Sequence, residues 1–253
     1  MPVKNSDAAQ DNIPAYNKQT TVTTKPNIDK TKPNTDTTTP VAGTTAPATE
    51  TTTLVTSTGE FYVSPGGNDS NPGTKLKPWK TIKKATNTIV PGDTVFIRAG
   101  VYSERVVLQS SGTADNYITF KNYPGEHPII DGTGIDWDGG DWEALFSTQS
   151  KDYIIIDGLR IINSKWIGIG EYAYLDGGAR HIVVRNCSTF NTRSSGIHFS
   201  YGADITIDSN IIEYACAAGT NDEALHIEKI DGFEVKYNQV LNSHKEGIDI
   251  LRG

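Results

Sequence analysis

The sequence predicts an all-β solenoid, a parallel β-helix, and three observations carry that expectation. First, four stretches are near-copies of one another: Ile154-Ile155-Ile156-Asp157-Gly158-Leu159, Ile182-Val183-Val184-Arg185-Asn186-Cys187, Ile205-Thr206-Ile207-Asp208-Ser209-Asn210 and Phe233-Glu234-Val235-Lys236-Tyr237-Asn238. Second, each is followed by a small residue and an apolar one: Gly168-Ile169, Gly196-Ile197, Ala224-Leu225 and Gly247-Ile248. These steps are spaced by 28, 28 and 23 residues. A period of this size marks a repeat in which each unit buries its apolar face against its neighbours. Third, the unit consists of short β-branched runs separated by Gly, Asn, Asp and Ser, with no helical periodicity. Two or three short strands per period wind into about seven coils.

In chain order, the first element is a tail. Residues 1–58 hold almost no large apolar side chain after Tyr16 and run through Thr- and Pro-rich sequence instead. Such a stretch cannot offset its ordering entropy by burial, so a disordered N-terminal tail is expected. Its composition is that of an extended stalk tethering a secreted or surface module. No apolar leader follows Met1, and the stalk makes a leader removed in maturation the expected history. The 59–253 region is then the β-helix domain. The net charge of −7 and a pI near 5.2 supply no basic stripe for nucleic acid. No apolar run reaches the length of a membrane span. Cys187 and Cys216 do not occupy equivalent repeat positions, so buried free thiols are expected rather than a disulfide.

Next comes the entrance to the coil. Phe61-Tyr62-Val63-Ser64 reads as a strand and 65–73 as a dense turn. Pro78-Trp79-Lys80-Thr81 begins a short amphipathic helix with Ile82, Ala85 and Ile89 on one face, and Pro91-Gly92-Asp93 stops it. An open β-helix exposes an edge at its first coil, and this helix is placed to cap it. At the other end, Ile250-Leu251-Arg252-Gly253 follows an inward-facing pair with no closing element, so further coils are expected beyond this chain.

Tyr62-Val63-Ser64, Gly67-Asn68-Asp69, Pro78-Trp79-Lys80-Thr81-Ile82, Pro91-Gly92-Asp93-Thr94 and Gly100-Val101-Tyr102 stand in the order seen in secreted right-handed parallel β-helix proteins. The block resembles the start of family-nine polysaccharide lyases, the pectate lyases. That resemblance covers about 61–253 and implies a right-handed coil.

The outer wall is where chemistry is expected. With Ile197, Phe199, Leu225, Ile227, Ile248 and Ile250 facing inward, alternation puts their neighbours outside. The repeat then stacks His198, His226 and Asp249 in one column, and Ser195, Glu223 and Glu246 in another. Asp222, Glu223, Glu246 and Asp249 thus converge on two neighbouring coils. Like charges this close need neutralising, and calcium, which takes several hard oxygen ligands, would do so. The competing reading is a solvated turn relieved by Lys229, Lys245 and Arg252. His198 and His226 would bind a transition metal, bracket a sugar or simply stack. Trp137, Trp142, Trp166, Tyr172, Tyr174 and Tyr201 divide between sugar platforms and core.

The resemblance adds roles to these positions. Family-nine lyases bind calcium through aspartates in a stretch similar to Asn242-Ser243-His244-Lys245-Glu246-Gly247-Ile248-Asp249-Ile250. By that match Glu246 and Asp249 keep oxygen ligands, Lys245 replaces the first aspartate, and Asp222 or Glu223 supplies the third ligand. The family's catalytic lysine lies on a later coil, so Lys229 and Arg252 are the candidate bases here, with His198, His226 and Lys245 as candidate substrate contacts. The resemblance implies an extracellular, calcium-dependent lyase-like protein acting on an acidic polysaccharide by β-elimination. The missing lysine favours the alternative, a non-catalytic carbohydrate-binding or cell-surface β-helix. Polygalacturonase-type hydrolases on this fold need a Gly-His-Gly run that the sequence lacks.

Overall fold

A computed structural model describes residues 58–135, 143–174, 177–219 and 223–251. The expected tail falls outside that range, apart from Thr58.

The repeat folds as its period requires. Among the described residues three parallel sheets run along the coil, of seven, six and six strands. The first contains Ile154–Asp157, Arg180–Arg185, Ala203–Asp208 and Asp231–Lys236, which are the four near-copies seen in the sequence. A sharp corner leads to the third sheet, holding Arg160–Ile162, Ser188–Phe190 and Ile211–Glu213. Another leads to the second, holding Ile167–Gly170, Ile197–Ser200, Leu225–Glu228 and Ile248–Leu251. Every strand pairs in parallel with its counterpart one coil away, so the core is a set of side-chain columns. Ile154, Ile182, Ile205 and Phe233 stack in register, as do Ile156, Val184, Ile207 and Val235. The isoleucines and Val184 in these columns are fully buried. β-Branched side chains suit this pleated, two-sided burial.

The corners explain the small polar residues between the runs. Gly158, Asn186, Ser209 and Tyr237 share one corner, with φ of 70°, 53°, 58° and 55°. Asn163, Asn191, Tyr214 and Asn242 share the next, also in the left-handed region. Gly and Asn reach that region most cheaply. Just past the first corner runs a ladder of hydrogen bonds. Cys187 N–H donates to Asn210 Oδ1 (2.9 Å), Asn210 Nδ2 donates to Asn238 Oδ1 (2.9 Å), and Asn238 Nδ2 donates to the Ile207 carbonyl (2.8 Å). Cys187 therefore occupies the ladder position that Asn fills in the next two coils. Both cysteines are buried, and burial pushes the Cys187 thiol up to about 12.

The entrance differs from expectation in one detail. The helix spans only Ile82–Thr86, beginning after Thr81, whose hydroxyl accepts from Lys84 N–H at 3.0 Å. Glu104 accepts from the N–H groups of Ile82 and Lys83 at 2.8 and 2.9 Å, satisfying two more free donors. Pro78 to Lys80 are not helical because Trp79 is drawn into the core, where it stacks on Phe61 with ring centroids 4.8 Å apart. Ile82, Ala85 and Ile89 are buried as the amphipathic pattern predicts. The helix packs against Glu60–Val63 and Val106–Val107. Ile248, Ile250 and Leu251, on the last described strand, are 37–47 % exposed.

Candidate functional site

The site is built on the outer wall of the second sheet. In Ile197–Ser200, Ile197 and Phe199 point into the core, which sends His198 and Ser200 to the other side. Parallel register then sets Gly170, His198, His226 and Asp249 one above another. The predicted histidine–aspartate column is present as drawn from the sequence. Glu223 and Glu246 also lie on neighbouring coils, because the Ala224 N–H donates to the Glu246 carbonyl at 3.0 Å.

The column is not uniformly exposed. His198, expected on an open face, is 1 % exposed, because the segment after Gly170 folds back over it. Tyr172 meets its ring edge-on at 5.4 Å, and the Ala173 N–H donates to Ser200 Oγ at 2.8 Å. On its other side the His198 ring stacks on His226, with centroids 4.6 Å apart and planes 11° from parallel. Burial, then the neighbouring imidazole, pushes the His198 pKa down to about 3, so it is neutral at physiological pH. Among the described residues neither of its ring nitrogens has a hydrogen-bond partner.

His226 is 8 % exposed and belongs to both the stack and the acidic cluster. Its Nδ1 pairs with the Glu223 carboxylate, while its Nε2 is buried without a hydrogen-bond partner among the described residues. Glu223, His226 and Asp249 each offer one ligand atom, and these atoms lie within 4.8 Å of one another. Glu246 is exposed beside them on the last coil. The two clustered carboxylates, with Glu246 at hand, are hard oxygen donors of the kind calcium takes, whereas the imidazole between them is not.

The remaining candidates separate. Asp222 and Arg252 lie outside the described residues, as do Trp137 and Trp142. Lys245 is exposed on the corner before Glu246, with its own N–H donating to Ser243 Oγ. Lys229 follows the His226 strand and is 42 % exposed at its side chain. Its Nζ donates to the Tyr201 hydroxyl at 2.7 Å and sits 3.6 Å from Glu228. The Tyr201 hydrogen bond, with Glu228 as a lesser influence, raises the Lys229 pKa above its ordinary value. That works against proton abstraction at neutral pH. Trp166 is core, with the Arg193 guanidinium 4.4 Å over its ring, whereas Tyr174 is exposed.

A second cluster lies on the same wall, at positions the repeat pattern does not mark. Arg105, Glu143, Ser147, Gln149, Glu171 and Tyr172 line a cleft. Arg105 pairs with Glu143 at 2.5 Å. Glu171 is buried, accepting from the Thr148 hydroxyl (2.9 Å), the Ala179 N–H (2.5 Å) and the Ser150 N–H, and burial raises its pKa. Tyr172 lines this cleft and also covers His198, so the two polar clusters are continuous. The one available signal was Gly170-Glu171, where the column places a glycine. A Cβ at Gly170 would fall 1.9 Å from the His198 carbonyl oxygen, so no larger residue fits.

Stacked coils carrying carboxylates and imidazoles along one outer wall define the class: a parallel β-helix whose candidate site is assembled between coils. The chain belongs to the family described as Pel9A-like, right handed beta helix region, whose pattern matches residues 61–244. It is 33 % identical over 205 residues to the uncharacterized protein YwoF of Bacillus subtilis (strain 168), an alignment covering 74 % of this chain and 42 % of that one. It is 27 % identical over 199 residues to pectate lyase PEL9 of Emericella nidulans, covering 75 % and 45 % respectively. The chain thus spans less than half the length of these two relatives. Among solved structures, pectate lyase Pel9A superposes with a TM-score of 0.58 at 18 % identity, over 78 % of this chain and 51 % of the other. XylC with xylose superposes at 0.54 and 14 %, over 75 % and 61 %. These likenesses establish the fold. No helix among the described residues is long and apolar enough to cross a membrane.

Proposed function

We propose that the chain is the coil region of an extracellular, calcium-dependent polysaccharide-lyase-like protein that acts on an acidic, pectate-like polysaccharide by β-elimination. One observation carries the reading: Glu223 and Asp249, with Glu246 beside them, gather at adjacent coils on the outer wall of the second sheet. Family membership and the likeness to a fungal pectate lyase support the choice of substrate class. Glu223, Glu246 and Asp249, with Asp222, would hold calcium. The ion would supply positive charge against a uronate carboxylate, the group on which charge builds when the adjacent carbon loses its proton. Lys245, next to Glu246 in the chain, and Lys229, just past the His226 strand, would bind substrate carboxylates. His198 and His226 form the apolar-faced floor between the acids and Tyr172. The base would be Lys229 or Arg252, and Lys229 serves only if substrate displaces its Tyr201 contact.

The raised Lys229 pKa favours a second reading, a non-catalytic β-helix that binds acidic polysaccharide at a cell surface. Ultraviolet absorbance of unsaturated uronate product, with polygalacturonate or alginate plus calcium, separates the two. Product formation that chelation abolishes is the expected result. Retention on insoluble polysaccharide without product would select the binding reading, and neither signal would sink both.

A further inference from the structure

We infer that the Glu223–His226–Asp249 pocket takes a divalent transition-metal ion of the zinc, cobalt and nickel class through the His226 imidazole, and takes it more tightly than calcium. The inference rests on the reading of this cluster as a cation site and assigns its selectivity. The donor set points there first. Two carboxylates and one imidazole, with ligand atoms within 4.8 Å of one another, match the three-protein-ligand sets of open transition-metal sites. Calcium takes oxygen ligands, whereas imidazole suits borderline ions.

The second observation concerns the imidazole itself. His226 is 8 % exposed, and among the described residues Glu223 is the one side chain that bonds either of its ring nitrogens. A buried imidazole is usually bonded at both nitrogens, and a ring left with one carboxylate partner keeps the capacity to take a further ligand. The pocket is also pre-set. His226 is flanked along its strand by fully buried Leu225 and Ile227, its ring lies against His198, and Glu223 holds Nδ1. Nδ1 and the Glu223 carboxylate thus already meet where a cation would stand between them in place of the shared proton. Solvated surface acids would show no such buried, oriented ring. His198 does not join the donors in this geometry: its ring lies parallel to that of His226, one coil away, and serves as the wall that stops His226 turning.

The test is calorimetric titration of the full chain with cobalt, zinc and calcium chlorides, together with the visible absorption of the cobalt complex. Wild type is expected to bind cobalt on the order of tenfold or more tightly than calcium. His226→Gln is expected to lose that preference and the cobalt absorption band while still binding calcium. Asp249→Asn, at a partly exposed position that leaves the coil intact, should lose affinity for both ions. Unchanged cobalt affinity in His226→Gln would overturn the assignment. Calcium binding with no cobalt binding in wild type would overturn it too, yet leave the proposed calcium function standing. No binding of any cation would overturn both.

Discussion

The inner and outer faces of the second sheet obey different rules. Inside, the column reads Ile169, Ile197, Leu225, Ile248: one kind of residue, coil after coil. Outside, one residue further along the same strands, it reads Gly170, His198, His226, Asp249. The inner face repeats because each coil must bury its apolar side against the next. The outer face is free of that demand, so its residue types change with position. Where repetition stops, chemistry becomes the better explanation of residue choice.

Breaking the repeating face should cost the most. Ile156→Ala or Ile207→Ala empties part of a fully buried column, and about 2–5 kcal/mol of stability should be lost in denaturant unfolding. A loss below 1 kcal/mol, on the order of a surface change, would mean that the columns are not the core. Asn210→Ala removes the ladder's middle rung and strands the buried Cys187 N–H, for about 1–3 kcal/mol. An unchanged melting curve would contradict the ladder.

The outer wall should respond to pH and charge instead. Burial raises the Glu171 pKa above its unfolded value, so the protonated form is the one the fold favours. Its stabilising contribution is therefore complete below the ordinary glutamate range and declines as pH rises through the elevated folded value. Relative to Glu171→Gln, wild type should lose stability across that rise; a gain would reverse the sign and refute the burial argument. The smallest effect is expected at Lys229→Met. Its exposed ammonium pairs with Tyr201 and Glu228, and the unfolding midpoint should stay close to that of wild type. The same variant should weaken retention on acidic polysaccharide, and undiminished retention would remove Lys229 from the binding wall.

The inner face was legible in the sequence because apolar periodicity is a direct record of burial. The alignment of Ile197 with Leu225 and Ile248 followed from it, and with that the His198–His226–Asp249 column. What covers the column was not legible. The burial of His198 depends on Tyr172 and Ala173, which leave the repeat just after Gly170 and fold back over the wall. Glu171 escaped notice for the same reason, since its partners Thr148, Ser150 and Ala179 come from three separate turns. The helix start was not legible because Trp79 suits an amphipathic face as well as it suits the core it fills.

The account depends on winding that brings Glu223, His226 and Asp249 around a single ion. Anomalous diffraction from crystals of the full chain soaked in a cobalt salt tests this most directly. A peak bounded by those three side chains is the predicted result. A peak held elsewhere, or none beside well-ordered Glu223 and Asp249 carboxylates, would contradict it.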